Sequence, residues 1–173
     1  MRRRDYLAAV AGVGGLGAGA WYVFGTGGSD RVSTVQIETL DARGSDAGKM
    51  RVPVPGSVTV LDVFSIGCAP CKTELRRLND IRGKLGENVR LVSVTNDAIG
   101  GTLTREDIRR WWRENGGNWS VGLDDGGKLM RELNVTGLPT LAVVDADGAL
   151  AWSHAGIVED GKLLDVVDGL KKR

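Results

Sequence analysis

The chain has 173 residues, 42% of them hydrophobic and 26% charged, a composition that excludes a disordered, collagen-like or polytopic membrane protein. Because 23 Lys and Arg stand against 22 Asp and Glu, the net charge is only +1, and no strong field attracts the chain to nucleic acid. Its two cysteines and one histidine exclude a disulfide-dense scaffold, a four-cysteine zinc site and His-rich metal chemistry.

The amino terminus has the pattern of an export signal or membrane anchor. Three arginines at 2–4 precede an uncharged stretch, 6–24, which is long enough to cross a hydrocarbon core of about 30 Å as a helix. The stretch holds five glycines, which disfavour a buried soluble helix because each costs about 1 kcal/mol against alanine. The run from Arg3 to Leu7 (RRDYL) resembles the twin-arginine export signal, with an ordinary secretory signal or anchor as the alternative.

This segment divides the chain into three parts. We expect residues 1–28 to form the signal or anchor, 29–31 a linker, and 32–173 a single folded domain. Since basic residues favour the inner side of a membrane, the folded domain is expected on the extracytoplasmic face, anchored through residues 6–24 or secreted.

The folded domain alternates predicted strands with predicted helices. Apolar runs predict strands at 32–40, 57–65, 89–95, 119–123, 140–145 and 150–153, with a polar turn at 41–48. Helical spacing of apolar residues predicts helices at 68–85, from Thr104 to about 116, at 128–133 and at 162–170; the second begins with the capping pattern Thr-x-x-Asp. The run 57–65 predicts a central strand covered on both faces, and the order of elements predicts a parallel core with an antiparallel hairpin at one edge.

The cysteine pair is the strongest chemical signal in the sequence. Cys68-Ala69-Pro70-Cys71 follows the predicted central strand and opens the first helix. The start of a helix carries unpaired N–H groups and the positive end of its dipole, which stabilise a thiolate at Cys68. Pro70 is tolerated there because first-turn N–H groups have no helical partner. Cys68 can then attack a substrate disulfide, and Cys71 can resolve the mixed disulfide.

Two other uses of the pair fit the sequence less well. Half a zinc site would need ligands from another chain, because there is no second cysteine pair and the only histidine is His154. A purely structural disulfide would close a very short loop and stabilise little, since the entropic gain grows with loop length. Redox chemistry is the favoured interpretation.

Two segments carry a family resemblance. The segment from Asp62 to Cys71 (DVFSIGCAPC) resembles the active-site strand, turn and helix of thioredoxin-like proteins, and the segment from Gly137 to Thr140 (GLPT) resembles their cis-proline loop. Residues 96–134, between them, resemble the strand–helix–strand–helix insert of membrane-tethered TlpA/ResA-type oxidoreductases. The resemblance covers about residues 32–172. It implies an α/β thioredoxin fold, in which helices flank a central mixed β-sheet, with a TlpA/ResA-type insert and an N-terminal signal or anchor helix.

The resemblance also implies roles for particular residues. Cys68 is the expected nucleophile and Cys71 the resolving thiol. Asp62 matches the family's buried acid, so we expect it near Cys71 with a raised pKa, where it accepts or delivers the proton of the resolving step; the alternative is a solvated acid at a strand edge. Pro139 is expected to be cis, to lie against the cysteines and to offer backbone hydrogen bonds to an extended substrate. The substrate-binding surface is expected to comprise Gly67, Ala69, Pro70, Leu138 and Thr140.

The sequence departs from the family pattern at three positions, one of which is Ala69, where several TlpA/ResA-type proteins have Glu or another residue. Gly67 precedes the first cysteine where the family usually has tryptophan, which predicts a flatter and less aromatic surface. Ser93 stands where thioredoxins often place a lysine facing the buried acid, so the tuning of Asp62 is expected to differ. Three tryptophans are expected to be packing residues or half-exposed helix surface and not a cofactor cage: Trp111, Trp112 and Trp119.

The implied function is thiol–disulfide exchange on the extracytoplasmic face of the cell membrane. The expected role is to reduce disulfides in exported proteins such as apocytochrome c, with electrons from a membrane partner such as a thiol-transporting membrane protein. No cofactor or metal is expected beyond the Cys68–Cys71 disulfide, and no nucleic-acid partner. One alternative is an oxidase or isomerase for exported proteins. The other is a thioredoxin-fold binding or metallochaperone module, although copper chaperones of this fold usually space their cysteines by three residues and add a histidine.

Overall fold

The computed structural model describes residues 31–172. The predicted anchor, its twin-arginine pattern and the first two residues of the predicted linker lie outside the described residues. Between residues 31 and 172, no helix is both long enough and apolar enough to cross a membrane.

Strands and helices alternate along the described chain. The strands are β1 Val35–Thr39, β2 Gly48–Val52, β3 Val58–Phe64, β4 Val89–Thr95, β5 Ser120–Leu123, β6 Thr140–Val144 and β7 Leu150–Ala155. The helices are α1 Ala69–Ile81, α2 Arg105–Glu114, α3 Lys128–Glu132 and α4 Asp160–Lys171, and a 3₁₀ turn, Arg82–Lys84, follows α1. Every predicted strand and helix is present, with bounds that differ by a few residues.

The strands form one mixed sheet in the order β2-β1-β5-β4-β3-β6-β7. The central strands β3, β4 and β5 run parallel, whereas β6 is antiparallel to β3 and β7 is antiparallel to β6. From Thr59 to Phe64, β3 is buried on both faces, and most of its side chains are apolar. The predicted central strand, parallel core and antiparallel closing hairpin are therefore confirmed.

Two features differ from the predicted layout. β2 starts at Gly48, at the end of the predicted turn, and pairs antiparallel with β1 at the edge of the sheet. Its residues (GKMRV) are mostly exposed, so they lack the apolar pattern that marks a buried strand. The insert within 96–134 is helix–strand–helix, because the strand before it, β4, already ends at Thr95.

The side chains of β3 alternate between two hydrophobic clusters on opposite faces of the sheet. Val60 and Phe64 belong to the cluster that α1, α2 and α4 cover, and Leu61 and Val63 belong to the cluster that α3 covers. Asp62 lies between Val60 and Phe64 in this alternation, so its side chain is on the α1 face of the sheet. The fold thus places one carboxyl group beneath the helix that the cysteines open.

The tryptophans of the insert pack as predicted. Thr104 and Asp107 form the expected capping box at the start of α2, which sets the position of the two tryptophans on that helix. The ring of Trp111 stacks on Phe64 at 5.0 Å between centroids, and Trp112 meets Trp119 edge to face at 5.0 Å. These rings fill the space between α2 and the sheet.

A substitution at Gly117 tests how tightly this aromatic cluster is packed. A Cβ atom at Gly117 would overlap the ring of Trp112, so we expect Gly117→Ala to lower the free energy of unfolding by about 2 kcal/mol or more. Gly169→Ala is the matched control, because a Cβ at Gly169 in α4 meets nothing within 4 Å and alanine favours a helix by about 1 kcal/mol. Urea unfolding measures both, and equal effects of the two substitutions would contradict the packing described.

Candidate active site

The two cysteines lie where the first helix begins. Cys68 is the residue that caps α1, with extended backbone angles (φ −88°, ψ 108°), and its Sγ accepts a hydrogen bond from the N–H of Cys71 at 3.2 Å. Pro70 occupies the first turn, where no N–H is needed. The predicted placement at a helix start is confirmed, and the sulfur of Cys68 accepts one backbone hydrogen bond from the first turn.

The pair forms a disulfide whose two sulfurs differ in accessibility. The Sγ–Sγ distance is 1.98 Å, so the structure is that of the oxidised protein. Cys71 is only 1% exposed and belongs to the core cluster under α1, whereas Cys68 is half-buried at its edge. An incoming thiolate or disulfide can therefore approach Cys68 and not Cys71.

A carboxylate holds the turn that leads into Cys68. Asp97 accepts hydrogen bonds from the hydroxyl of Ser65 at 2.7 Å, from the N–H of Ile66 at 2.9 Å and from the hydroxyl of Thr95 at 2.9 Å. The Ser65 oxygen in turn accepts from the N–H of Gly67 at 3.3 Å. Sequence reasoning missed Asp97. A signal was present, because Ser65 and Asp97 follow neighbouring parallel strands, whose carboxyl ends meet at one edge of the sheet.

The residues beside Cys68 are small and exposed, and the flatter, less aromatic surface expected from Gly67 stays a prediction. Gly67, Ala69 and Pro70 are all exposed. A Cβ atom at Gly67 would meet only the Ser65 oxygen, at an ordinary distance of 3.8 Å, so packing does not require glycine there. Three of the predicted substrate-binding residues thus lie together on open surface.

The predicted cis-proline loop reaches the same edge of the sheet. The Leu138–Pro139 peptide bond is cis, as expected. Because β6 runs antiparallel to β3 with Thr140 opposite Val63, the start of β6 lies beside the end of β3, from which the chain leads to Cys68. The fold therefore brings this loop and the cysteine turn together.

The hydrogen bonds of this loop differ from the expected pattern. The carbonyl of Pro139 already accepts from the N–H of Gly156 at 2.7 Å, and proline has no N–H to donate. Thr140 is 2% exposed, and its hydroxyl donates to the carbonyl of Gly137 at 2.6 Å, which leaves it little surface to offer a substrate. Leu138, which is half-buried, is the predicted loop residue best placed to offer backbone groups.

Asp62 is buried, as predicted, and has a raised pKa. It is 2% exposed, and burial raises the pKa of its carboxyl group to about 7, with the nearby charge of Glu74 adding to the rise. Ser93 lies directly opposite Asp62 on β4 and donates its hydroxyl to Oδ2 at 2.7 Å, which lowers that pKa in part. A neutral hydroxyl thus faces the acid where thioredoxins often have a lysine.

A second buried carboxyl group was missed by the sequence analysis. Glu74 on α1 is 2% exposed, and its Oε2 accepts a hydrogen bond from the N–H of Val158 at 3.0 Å. The helical period does put Glu74 on the same face as Cys71, Leu75 and Leu78. Because glutamate is almost never fully buried, the pattern alone did not single it out.

Comparisons with known proteins agree with this geometry. The Redoxin family matches residues 50–169. The thiol:disulfide interchange protein DsbE of Escherichia coli (strain K12) is 27% identical over 126 residues, which cover 72% of this chain and 63% of that protein. The chain thus matches less than two thirds of the length of that relative.

Solved structures with similar folds include two bacterial proteins. StoA from Bacillus subtilis superposes with a TM-score of 0.64 at 20% identity, covering 78% of this chain and 96% of that one. A thiol-disulfide isomerase from Corynebacterium glutamicum superposes with a TM-score of 0.66 at 19% identity, covering 83% and 99%. These matches confirm the thioredoxin-like fold, while the roles of the individual site residues stay predictions.

The raised pKa of Asp62 makes stability depend on pH. The unfolded chain loses the Asp62 proton at about pH 4, whereas the folded protein keeps it to about pH 7, so the folded state binds this proton more tightly. Asp62 therefore stabilises the fold at acid pH, and this contribution is lost as the pH rises through 7. Between about pH 4 and pH 8, we expect the wild type to lose up to about 4 kcal/mol more unfolding free energy than Asp62→Asn.

Urea unfolding of the oxidised protein at a series of pH values measures this difference. Asp46→Asn, which changes an exposed carboxyl group between β1 and β2, is the control and should follow the wild-type curve. Parallel stability curves for the wild type and Asp62→Asn would contradict the raised pKa.

Proposed function

Because this chain belongs to the Redoxin family, we propose that it is a thiol–disulfide oxidoreductase that acts through Cys68 and Cys71. The observation that carries this proposal is the disulfide at the start of α1, with one sulfur accessible at Cys68 and the other buried at Cys71. That arrangement gives the two sulfurs separate tasks, attack and resolution.

The proposed reaction starts from the reduced pair. The Cys68 thiolate attacks a substrate disulfide, which forms a mixed disulfide and releases one substrate sulfur as a thiolate. Cys71 then loses its proton and attacks the sulfur of Cys68, which releases the second substrate thiolate and forms the Cys68–Cys71 disulfide. Two electrons pass to the substrate, whose two thiolates take up protons. The N–H groups at the start of α1 stabilise the Cys68 thiolate before attack and as the leaving group in the reverse reaction.

Asp62 is the proposed acceptor of the Cys71 proton. Its carboxyl group lies on the α1 face of β3, and its pKa of about 7 lets it hold or release a proton at neutral pH. In the reducing direction it takes the proton from Cys71 as the resolving attack begins. In the oxidising direction it returns the proton to Cys71 when that thiol leaves.

We place the reaction on the extracytoplasmic side and favour the reducing direction. The support for the location is the arginine-led apolar segment at 2–24, which resembles a twin-arginine signal or anchor. Pro70 resembles the residue that reducing members of the family carry at that place. The proposed substrates are exported proteins such as apocytochrome c, and a thiol-transporting membrane protein would supply the electrons.

The opposite direction is the second candidate. The structural similarity to a protein described as a thiol-disulfide isomerase favours it, since the same fold and cysteine geometry can donate or rearrange disulfides. The reduction potential separates the two candidates, because it decides whether the pair gives or takes electrons.

Trapping of substrates tests the exchange reaction itself. Cys71→Ser removes the resolving sulfur, so we expect mixed disulfides with exported proteins to accumulate on Cys68. Cys68→Ser should abolish both insulin reduction and trapping, and the double substitution Cys68→Ser/Cys71→Ser is the matched control for background. Mass spectrometry under non-reducing conditions reads the adducts. If Cys71→Ser traps nothing and the wild type reduces no disulfide, the proposed activity is refuted.

The reduction potential tests the direction. We expect the Cys68–Cys71 couple near the value of thioredoxin, about −270 mV, in a thiol–disulfide buffer titration read by thiol alkylation. A value near that of the strong oxidant DsbA, about −120 mV, would make the protein a disulfide donor. That result would overturn the reducing direction and leave the exchange reaction intact.

A further inference from the structure

A chain of hydrogen bonds joins three buried residues from neighbouring strands. The indole Nε1–H of Trp119, just before β5, donates to the Oγ of Ser93 on β4 at 2.9 Å. The hydroxyl of Ser93 donates to the Oδ2 of Asp62 on β3 at 2.7 Å. Their exposed fractions are 6%, 0% and 2%, so water does not compete for these bonds.

The chemistry of the three groups fixes the direction of the chain. An indole N–H can only donate, whereas a hydroxyl donates one hydrogen bond and accepts up to two. Because Trp119 donates to the Ser93 oxygen, the hydroxyl hydrogen of Ser93 must point elsewhere, and the Asp62 oxygen is the acceptor in front of it. The indole N–H thus occupies the oxygen of the hydroxyl and leaves the hydroxyl hydrogen for the carboxylate.

We propose that Trp119 is a positioning residue: through Ser93 it fixes a neutral hydrogen-bond donor on Asp62 and so governs how readily Asp62 takes the proton of Cys71. This inference rests on the proposed thiol–disulfide exchange. Trp119 acts through the Ser93 hydroxyl, which joins its indole N–H to the carboxyl group of Asp62.

The surroundings of Asp62 explain why one hydrogen bond matters. Burial raises the pKa of Asp62 most, and the charge of Glu74 on α1 adds to the rise. On β6, the residue opposite Asp62 is the apolar Leu141. The Ser93 hydroxyl on β4 is the influence that lowers this pKa, so its orientation decides how much of the effect of burial is offset.

The indole also packs, so the test must separate its N–H from its ring. Trp112 offers a matched control in the same aromatic cluster: it is fully buried, meets Trp119 edge to face, and donates its own Nε1–H to the carbonyl of Arg43 at 2.9 Å. Substitution of either tryptophan by phenylalanine removes one indole N–H and similar volume. Only the Trp119 substitution frees the hydroxyl that faces Asp62.

The direct measurement is the titration of Asp62 in the full-length oxidised protein, followed by the ¹³C shift of its labelled side-chain carboxyl group. We expect Trp119→Phe to raise the Asp62 midpoint by about half to one pH unit, because the freed hydroxyl no longer stabilises the carboxylate. Ser93→Ala should raise it by at least as much, Ser93→Thr should preserve it, and Trp112→Phe should leave it unchanged. Equal shifts in Trp119→Phe and Trp112→Phe, or no shift in Trp119→Phe, would overturn the proposal.

Two further variants test whether Trp119 acts through Ser93 and whether its N–H, not its ring, is responsible. In the Ser93→Ala background, Trp119→Phe should cause no additional shift, since Trp119 acts only through Ser93. If Trp119→Phe does not fold, replacement of Trp119 by 3-benzothienylalanine, which keeps the ring shape and lacks the N–H, must produce the same rise. An additional shift in the first case, or none in the second, counts against the proposal.

The reaction supplies the second readout. When the reduced protein reacts with a substrate disulfide, the pH profile of the rate at which Cys71 resolves the mixed disulfide has a midpoint that depends on Asp62. In Trp119→Phe this midpoint should move upward by the same amount as in the titration. A titration shift without a shift in the rate profile would refute the role in catalysis. A wild-type protein that exchanges no disulfides would refute the proposed function instead, and the titration distinguishes that outcome because it needs no substrate.

Discussion

The parallel register of β3 and β4 is the constraint on which the site depends. It sets Asp62 directly opposite Ser93 in the middle of the sheet and brings the ends of the two strands to one edge. Beyond that edge, β3 leads to Cys68 and β4 leads to Asp97. The carboxylate of Asp97 accepts hydrogen bonds from the turn between β3 and Cys68. A slip of one residue would move the acid to the opposite face, away from α1. The pairing of β3 with β4 therefore determines the positions of the reactive sulfur, its supporting turn and the buried acid.

The cysteine segment and its acid were predictable because their signals are local. A CxxC pair between a continuous apolar run and a helical pattern fixes a strand, a turn and a helix start, and the structure confirms all three. The cis state of the Leu138–Pro139 bond was predicted from a short motif as well. Burial of Asp62 was predicted from its match to the family's buried acid in the ten-residue segment that ends at Cys71. Each of these features is encoded within about ten consecutive residues.

The features that escaped prediction are set by contacts between distant segments. Asp97 supports the turn before Cys68 only because two parallel strands end together, and the polar edge strand β2 exists only because β1 offers it a partner. Glu74 is buried against the backbone of Val158, a contact over 84 residues that no local pattern reveals. The sequence predicted Trp119 as a packing residue, which it is, but its hydrogen bond to Ser93 required the strand order. Polar pairings across a sheet are thus the part of a site that is hardest to predict from a single sequence.

A neutral donor and a lysine act on a buried carboxyl group in different ways. An ammonium group would hold Asp62 ionised, whereas the Ser93 hydroxyl offsets only part of the effect of burial and leaves the pKa of Asp62 at about 7. A lone hydroxyl in the core also needs its oxygen satisfied, and a buried indole needs an acceptor for its N–H. Ser93 and Trp119 meet both needs with one hydrogen bond. Because that same bond leaves the hydroxyl hydrogen for the acid, hydrogen-bond satisfaction in the core and the proposed control of the Cys71 proton depend on one arrangement of side chains.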